Sequence, residues 1–489
     1  MLSASNPAEF KGDHKKIQMK KTALLFTGCV FILFIPVKTW AQARNASSEI
    51  NFQLDGAKKF QQLDGFGVNV NTRSWNGEEL VPALSLLHDS LNASIWRVIV
   101  ETVYKWEDQN DNNDPFTFNW DYYNELYETP KFQKAWNMIR FMNEHGITDK
   151  LMINFMGPIP LWMGGTVVKP QYEDEYIEML VSFFYYAIKT KHLKIGLISL
   201  MNEPDIHNEG PTVGSAQFVR LLRKLIDRMQ SLGMDQVRYV APDVAGMKSG
   251  VLDYIPALMN DSVVMSRIAH FGLHSYGGNP VSINTMDSLK KSPYPLSSYW
   301  MTEWNAWRDG LDDGLIGVYD YKFASDCVNY LIGHLQNGAK ACLIWEGYDS
   351  YYEHHAPSTF SYWGILSYDQ KNKIYSPRKH FYALQQFFKF ILPGSWRIDC
   401  STIEDSVKAV TFLDPVTGQI TMAGVNNKTS SISLRAALSN LPAYDHFELF
   451  YTDSTQNLHK NPAVSVKGKS FRASIPPECI FTLIGHLNK

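Results

Sequence analysis

Two carboxylates carry the clearest chemical signal in the chain. Glu203 stands in Leu200-Met201-Asn202-Glu203-Pro204, and Glu303 stands in Trp300-Met301-Thr302-Glu303-Trp304-Asn305. Each ends a short apolar-rich run, 195–200 in one case and 299–302 in the other, and polar and aromatic residues follow at once. Strand-end carboxylates far apart in sequence suit hydrolysis of a sugar linkage, in which one carboxyl handles the proton and the other attacks carbon. Such a pair needs opposite surroundings: the acid must be poorly solvated or near a negative charge, and the nucleophile needs donors or a cation close by. Arg97, within the apolar run 94–100, is the candidate cation, because a guanidinium on such a strand is costly without a partner.

The elements that must position these groups are legible as alternation. Strand candidates fall at 65–71, 94–100, 150–155, 195–200, 237–241, 268–274, 299–302 and 341–345. Amphipathic stretches at 78–91, 131–144, 173–189, 215–232 and 315–335 separate them. Strands alternating with helices imply parallel βα units, and this many imply a closed (β/α)8 TIM barrel over 61–390. Active sites of such barrels lie at the C-terminal strand ends. Here those ends carry Asn71, Glu101, Asn154, Asn202, Glu203, Asp243, His274, Glu303 and Glu346. On this count Glu203 and Glu303 occupy the fourth and seventh strands, across the mouth from each other.

After the helical stretch 378–390 and Pro393-Gly394, the chain changes character. Alternating segments at 407–413, 420–425, 431–434, 446–451 and 480–484, separated by Asp, Asn, Pro and Gly, predict a smaller antiparallel β-sandwich. The alternating segment 50–60 is expected to join it, so the side domain is 44–60 plus 391–489.

Residues 1–43 read as an export signal, with Met19 a candidate start. Lys20-Lys21 precede the apolar run 22–37, and Ala41-Gln42-Ala43 offers a cleavage site. The exported protein is expected to be periplasmic or extracellular. Anchoring through Cys29 ranks second, because the residues after that cysteine stay apolar where a lipoprotein turns polar. The remaining cysteines, Cys327, Cys342, Cys400 and Cys479, are too few for a disulfide framework; Cys400 and Cys479 share the side domain, and the sequence leaves their pairing open. A net charge of −3, with no basic stretch among aromatics, gives no reason to expect nucleic acid. A monomer without stable membrane insertion is expected.

These residues resemble clan A of the glycoside hydrolases, and within it family 30. The likeness rests on Gln62-Leu63-Asp64-Gly65-Phe66-Gly67, Asn202-Glu203-Pro204, Thr302-Glu303-Trp304 and the stretch from Phe381-Tyr382-Ala383-Leu384 to Pro393-Gly394. The resemblance implies a retaining β-glycosidase with Glu203 as general acid/base and Glu303 as nucleophile. It also implies that Asn202 bonds the 2-hydroxyl of the sugar, that Arg97 and Tyr276 hold the nucleophile ionised, and that Trp345 floors the site. No cofactor or metal is expected.

His274 and Trp162 complete the candidate substrate-binding set. Trp162, Trp345, Tyr348, Tyr351 and Tyr352 lie on or beside the long loops 157–170 and 346–360. Aromatics on separate loops suit several sugar rings in a row, so an oligo- or polysaccharide substrate cut internally is expected, with a β-1,6-linked glucan or galactan suggested by the resemblance alone. The alternatives are an exo-acting enzyme of glucosylceramidase or xylosidase type, or a barrel that only binds glycan. Two motifs invite metal readings. Asp108-Gln109-Asn110-Asp111-Asn112-Asn113-Asp114 resembles a calcium loop but has Asn113 where an EF-hand needs Gly, and Glu353-His354-His355 lacks a third ligand. A solvated loop is the expectation for the first, and a loop beside the active-site mouth for the second.

Overall fold

A computed structural model describes residues 48–102, 106–207, 209–276, 299–306, 319–352 and 360–488. The export signal with Cys29, and the Glu353-His354-His355 motif, lie outside the described residues.

After β1 (Ser48–Gln62), eight parallel strands close into a barrel in sequence order: β2 (Gly65–Asn71), β3 (Ile95–Glu101), β4 (Leu151–Met156), β5 (Leu197–Ser199), β6 (Arg238–Val244), β7 (Ile268–Tyr276), β8 (Tyr299–Asn305) and β9 (Ala341–Ile344). The ring closes where β9 pairs with β2. These strands are apolar on both faces because both faces are covered. Trp96 and Val98 of β3 join the large core shared with the outer helices. Ile95 points inward, meeting Met152, Leu197, Val240, Trp300, Ala341 and Leu343 in a plug that fills the barrel floor. The two-residue strand period then sets Arg97 one layer above Ile95, and register places it beside Asn69.

The helices follow from their periodicity. Ser215–Ser231 buries Phe218, Leu221, Leu222, Leu225, Ile226 and Met229, all on one face, and Gly233, in the left-handed region at φ +64°, follows its end.

Beyond β9 come two short hairpins, β10 (Ser350–Tyr351) with β11 (Phe360–Ser361), and β12 (Leu366–Asp369) with β13 (Ile374–Pro377). The helix Lys379–Phe388 then joins the two halves of the molecule. Phe388 stacks on Phe66 of the barrel at 4.7 Å, while the Gln386 amide donates to Thr452 in the side domain at 3.0 Å.

The side domain contains β14 (Trp396–Ser401), β15 (Val407–Leu413), β16 (Ile420–Asn426), β17 (Ile432–Ser439), β18 (Tyr444–Thr452), β19 (His459–Lys467), β20 (Ser470–Ile475) and β21 (Cys479–Leu487). With β1 they close in the order β1-β14-β15-β16-β21-β18-β19-β20-β17. The alternation of β1 turns Ile50, Phe52 and Leu54 into that domain's core. A purely antiparallel sheet was expected, but β1 runs parallel to β17. No hairpin joins these two strands, so nothing in the connection forces them to oppose. Val410, Phe412, Ala423, Val425 and Ile480 face the other way, into the core shared with the eight-stranded barrel. Cys327, Cys342, Cys400 and Cys479 are all free thiols.

Candidate active site

Two irregularities in the barrel build the site. Along β7 and β8, Leu273 faces Met301 but His274 faces Glu303, so β8 spends an extra residue. Met301 and Trp304 pack outward into the shell, which leaves Thr302 and Glu303 between them for the interior. Along β6 and β7, Pro242 faces Gly272 but Val244 faces Leu273, and the extra residue is Asp243, at φ +62°. Bulges of this kind re-aim side chains at barrel rims. Gly272 is required at this point: a Cβ there would lie 2.9 Å from Asp243 Oδ1. Glu203 also sits in the left-handed region, at φ +40°, where a Glu is strained, and its N–H donates to the Asp243 carbonyl at 3.0 Å.

Asp243 and Arg97 are the paired hubs beneath the mouth, both fully buried. Asp243 Oδ2 accepts from Arg97 Nη2 at 2.8 Å, Ser199 at 2.7 Å and Asn154 at 2.9 Å. Burial works against its charge, but Arg97 and His274 outweigh that and hold the carboxyl well below the usual range. Arg97 also donates to Asn69 at 2.8 Å, Asn202 at 2.6 Å and Glu303 Oε1 at 2.5 Å. Tyr276 donates to the other Glu303 oxygen at 2.7 Å.

Glu203 has a different environment. Its Oε1 lies 2.7 Å from His274 Nδ1, and His274 Nε2 lies 3.1 Å from Asp243 Oδ1. Burial alone would lower the histidine, but Glu303, Asp243 and Glu203 push it up to about 10, so both ring nitrogens donate. Burial pushes Glu203 up, His274 pulls it back and the charge on Glu303 adds to the rise, leaving it at about 7. Oxygens of Glu203 and Glu303 lie within 4.8 Å of each other. Two carboxyls thus face one point, one rich in donors and one near neutrality.

Asn202 is buried, and Arg97 fixes its orientation. A guanidinium only donates, so the atom it meets is the amide oxygen, and Nδ2 is left without a partner among the described residues.

No family model matches the sequence, and no curated protein sequence does. Solved structures match across nearly the whole chain. A family 30 subfamily 8 xylanase from Clostridium acetobutylicum aligns with a TM-score of 0.65 at 17% identity, covering 89% of this chain and 99% of its own. The fold is that of the family 30 glycoside hydrolases. An endo-β-1,6-glucanase aligns with a TM-score of 0.65 at 15% identity, covering 89% and 94%. The SrfJ protein of Salmonella typhimurium aligns at 0.66 and 16% identity, covering 91% and 94%. The TIM barrel with a β side domain and the clan A resemblance expected from sequence are therefore borne out.

The site differs from the sequence reading in several residues. Glu203, Glu303, Arg97, Asn202, Tyr276 and His274 converge. His274, however, is fully enclosed with both nitrogens taken by carboxylates, so it positions Glu203 rather than binding substrate. Trp345 keeps 8% of its surface open and stacks on Tyr352 at 5.6 Å. Trp162 is half-buried; its indole donates to the Glu107 carbonyl at 2.7 Å and its ring meets Tyr172 edge-on. Two of the expected stacking platforms face inward. Tyr348 is fully buried, and Tyr352, 1% exposed, donates to Glu346 at 2.8 Å. Glu346 itself is bound by Ser350, Tyr352 and Ser361, outside the Glu203–Glu303 cluster, and burial pushes it up to about 8. Asn71 caps the following turn by accepting from the Arg73 N–H. Asn154 and Asp243 were noted from sequence only as polar strand ends, and Asn69 and Ser199 were not singled out, because the register that sets Asn69 beside Arg97 is visible only in the fold.

Proposed function

We propose that this protein is a retaining glycoside hydrolase that cleaves β-linked glycans by double displacement. The observation that carries this reading is the approach of Glu203 and Glu303 to within 4.8 Å, each in a different electrostatic setting. Retaining enzymes hold their carboxyls about 5–5.5 Å apart, whereas inverting ones need about 6.5–9.5 Å to admit water. Glu303, gripped by Arg97 and Tyr276, is the nucleophile. Glu203, raised to about 7, is the acid that protonates the leaving oxygen and then the base that activates water. The free Asn202 amide N–H is offered to the sugar 2-hydroxyl.

The substrate class follows the structural neighbours, a xylanase and an endo-β-1,6-glucanase among them, and we favour an endo-acting enzyme on a β-linked polysaccharide. Trp345, Trp162 and the exposed Tyr351 remain as stacking surfaces. The export signal expected at 1–43 supports action outside the cytoplasm, and no described helix is long and apolar enough to cross a membrane.

The experiment is hydrolysis of xylan, β-1,6-glucan and β-1,6-galactan followed by proton NMR. Retention gives the β-anomer first, with oligosaccharides at early times. An initial α-anomer overturns double displacement, and monosaccharide alone at early times leaves an exo-glycosidase.

The acid assignment has its own test. Because Glu203 must be protonated, kcat/KM should fall as pH rises through about 7. Glu203→Gln, assayed on an aryl glycoside with a good leaving group, should lose that alkaline limb, and azide should partly restore Glu203→Ala. A limb that persists in Glu203→Gln assigns it to another group.

A further inference from the structure

Buried acids also gather away from the catalytic network. Glu107 and Asp111 lie on the segment that follows β3, and Glu175 and Glu178 lie on the helix Glu173–Tyr185 that follows β4. The i, i+3 spacing of the latter two sets them on one helix face. Glu107 is fully buried, Glu178 is 1% exposed and Glu175 9%. One oxygen each of Glu107, Asp111 and Glu175 lie within 4.8 Å of one another.

These carboxylates lack partners where their neighbours have them. Among the described residues, both oxygens of Glu107, both of Glu178, Oε2 of Glu175 and Oδ1 of Asp111 meet no donor in good hydrogen-bond geometry, although the Tyr123 hydroxyl lies beside Glu107, and Asn110 and Glu178 beside Glu175. The adjacent acids on the same helix are paired, Glu173 with Arg220 at 2.9 Å and Asp174 with Lys224 at 2.8 Å. Arg228, whose charge reaches Glu178, donates instead to the Phe116 carbonyl at 2.5 Å and lies over the rings of Phe116 and Phe118. Like charges buried together repel and have lost their hydration, and a hard cation offsets both.

We propose that Glu107, Asp111, Glu175 and Glu178 form a binding site for a calcium ion. Oxygens around calcium sit about 2.3–2.6 Å from it, so any two lie within about 5 Å of each other, as the three converging atoms do. Six carboxylate oxygens lack a well-placed donor among the described residues, which suits an ion that takes about 6–8 oxygen ligands. Magnesium demands a tighter octahedron and keeps its waters, which suits a cage this buried less well. Asp111 is already aimed: its Oδ2 accepts from the Asn119 N–H at 2.9 Å and from Asn112 Nδ2 at 3.0 Å, which leaves Oδ1 to face the cluster.

The sequence reading expected a solvated loop at 108–114, and the alternate positions that resemble a calcium loop there are not the proposed ligands. Asn112 and Asp114 close turns of their own, Asn112 Oδ1 accepting from the Asp114 N–H at 2.6 Å and Asp114 from Thr117 at 2.9 Å. The ion would tie the segment after β3 to the helix after β4. Because the Glu107 carbonyl also accepts from Trp162, it would set two loops at the barrel mouth at once. This site stands apart from the catalytic assignment and does not depend on it.

The test uses the purified full chain, assayed for metal as isolated and again after chelation. One calcium per chain as isolated, or a melting midpoint raised by about 5 °C or more when millimolar calcium is added to chelated protein, is the expected result. Glu107→Gln and Glu178→Gln should remove both the bound metal and the shift. Protein without calcium as isolated and with an unchanged midpoint at millimolar calcium overturns the proposal. So does a Glu107→Gln variant that melts higher than wild type and is indifferent to calcium, because carboxyls sharing protons would then explain the cluster.

Discussion

Replacing Glu303 by Gln should lower turnover on every substrate by on the order of 10⁴-fold, with KM changed far less. The amide is nearly isosteric and its oxygen can still accept from Arg97 or Tyr276, so the site should keep its shape. The bond to the anomeric carbon is what disappears. The complementary measurement is covalent: an activated 2-deoxy-2-fluoro glycoside should add one sugar to wild type, and the peptide containing Glu303 should carry the mass. A label on a different carboxylate, or a Glu303→Gln variant with a tenth of wild-type activity, would reject this residue as nucleophile.

The second large effect is expected at Arg97, in stability as well as rate. Arg97→Met leaves Asp243 and Glu303 buried without their shared cation, and breaking a buried pair from one side costs about 3–5 kcal/mol. Arg97→Lys should recover little, because one ammonium cannot reproduce three nitrogens spread over Asn69, Asn202, Asp243 and Glu303. The cost should depend on pH with a definite sign. Asp243 is held below its ordinary value, so its contribution to stability is complete above the unfolded carboxyl range of about 4 and is lost as pH falls through the depressed value. Urea unfolding at neutral pH and in acid therefore should show the variant's deficit shrinking in acid. A deficit below 1 kcal/mol at neutral pH would mean that the hub can be removed without structural consequence.

The barrel was legible because its strands are buried on both faces and bounded by amphipathic helices, a pattern that survives without any alignment. The carboxylate pair was legible for a related reason: a whole ring of polar residues at the ends of apolar strands is hard to explain by packing, although a single member such as Glu346 can be held structurally. The bulges were not legible. Nothing in Pro242-Asp243-Val244 or Met301-Thr302-Glu303 announces an extra residue, because bulges depend on the register of two strands at once. For that reason Asp243 was noted at a strand end but not recognised as the hub. The same limit applied to β19, whose side chains are all exposed or half-exposed and therefore show no buried alternation. The aromatic loops misled because a ring that can stack on sugar can equally fill a loop's interior, as Tyr348 does.

The placement of β1 has a consequence in time. It closes the side domain between β14 and β17, yet about 330 residues separate its end at Gln62 from the start of β14 at Trp396. At a synthesis rate of about 5–20 residues per second, β1 waits roughly 15–65 s for its first partner to be made. Throughout that interval an alternating strand with Ile50, Phe52 and Leu54 on one face has nothing to pair with, while the catalytic barrel can assemble beside it. Lys58 and Lys59 lie near its end, the kind of charge that keeps a bare strand edge from joining a neighbouring chain. The first strand is thus covered on one edge when β14 emerges and on the other only when β17 does, late in synthesis, and until then its bare edges are the part of the chain most open to aggregation.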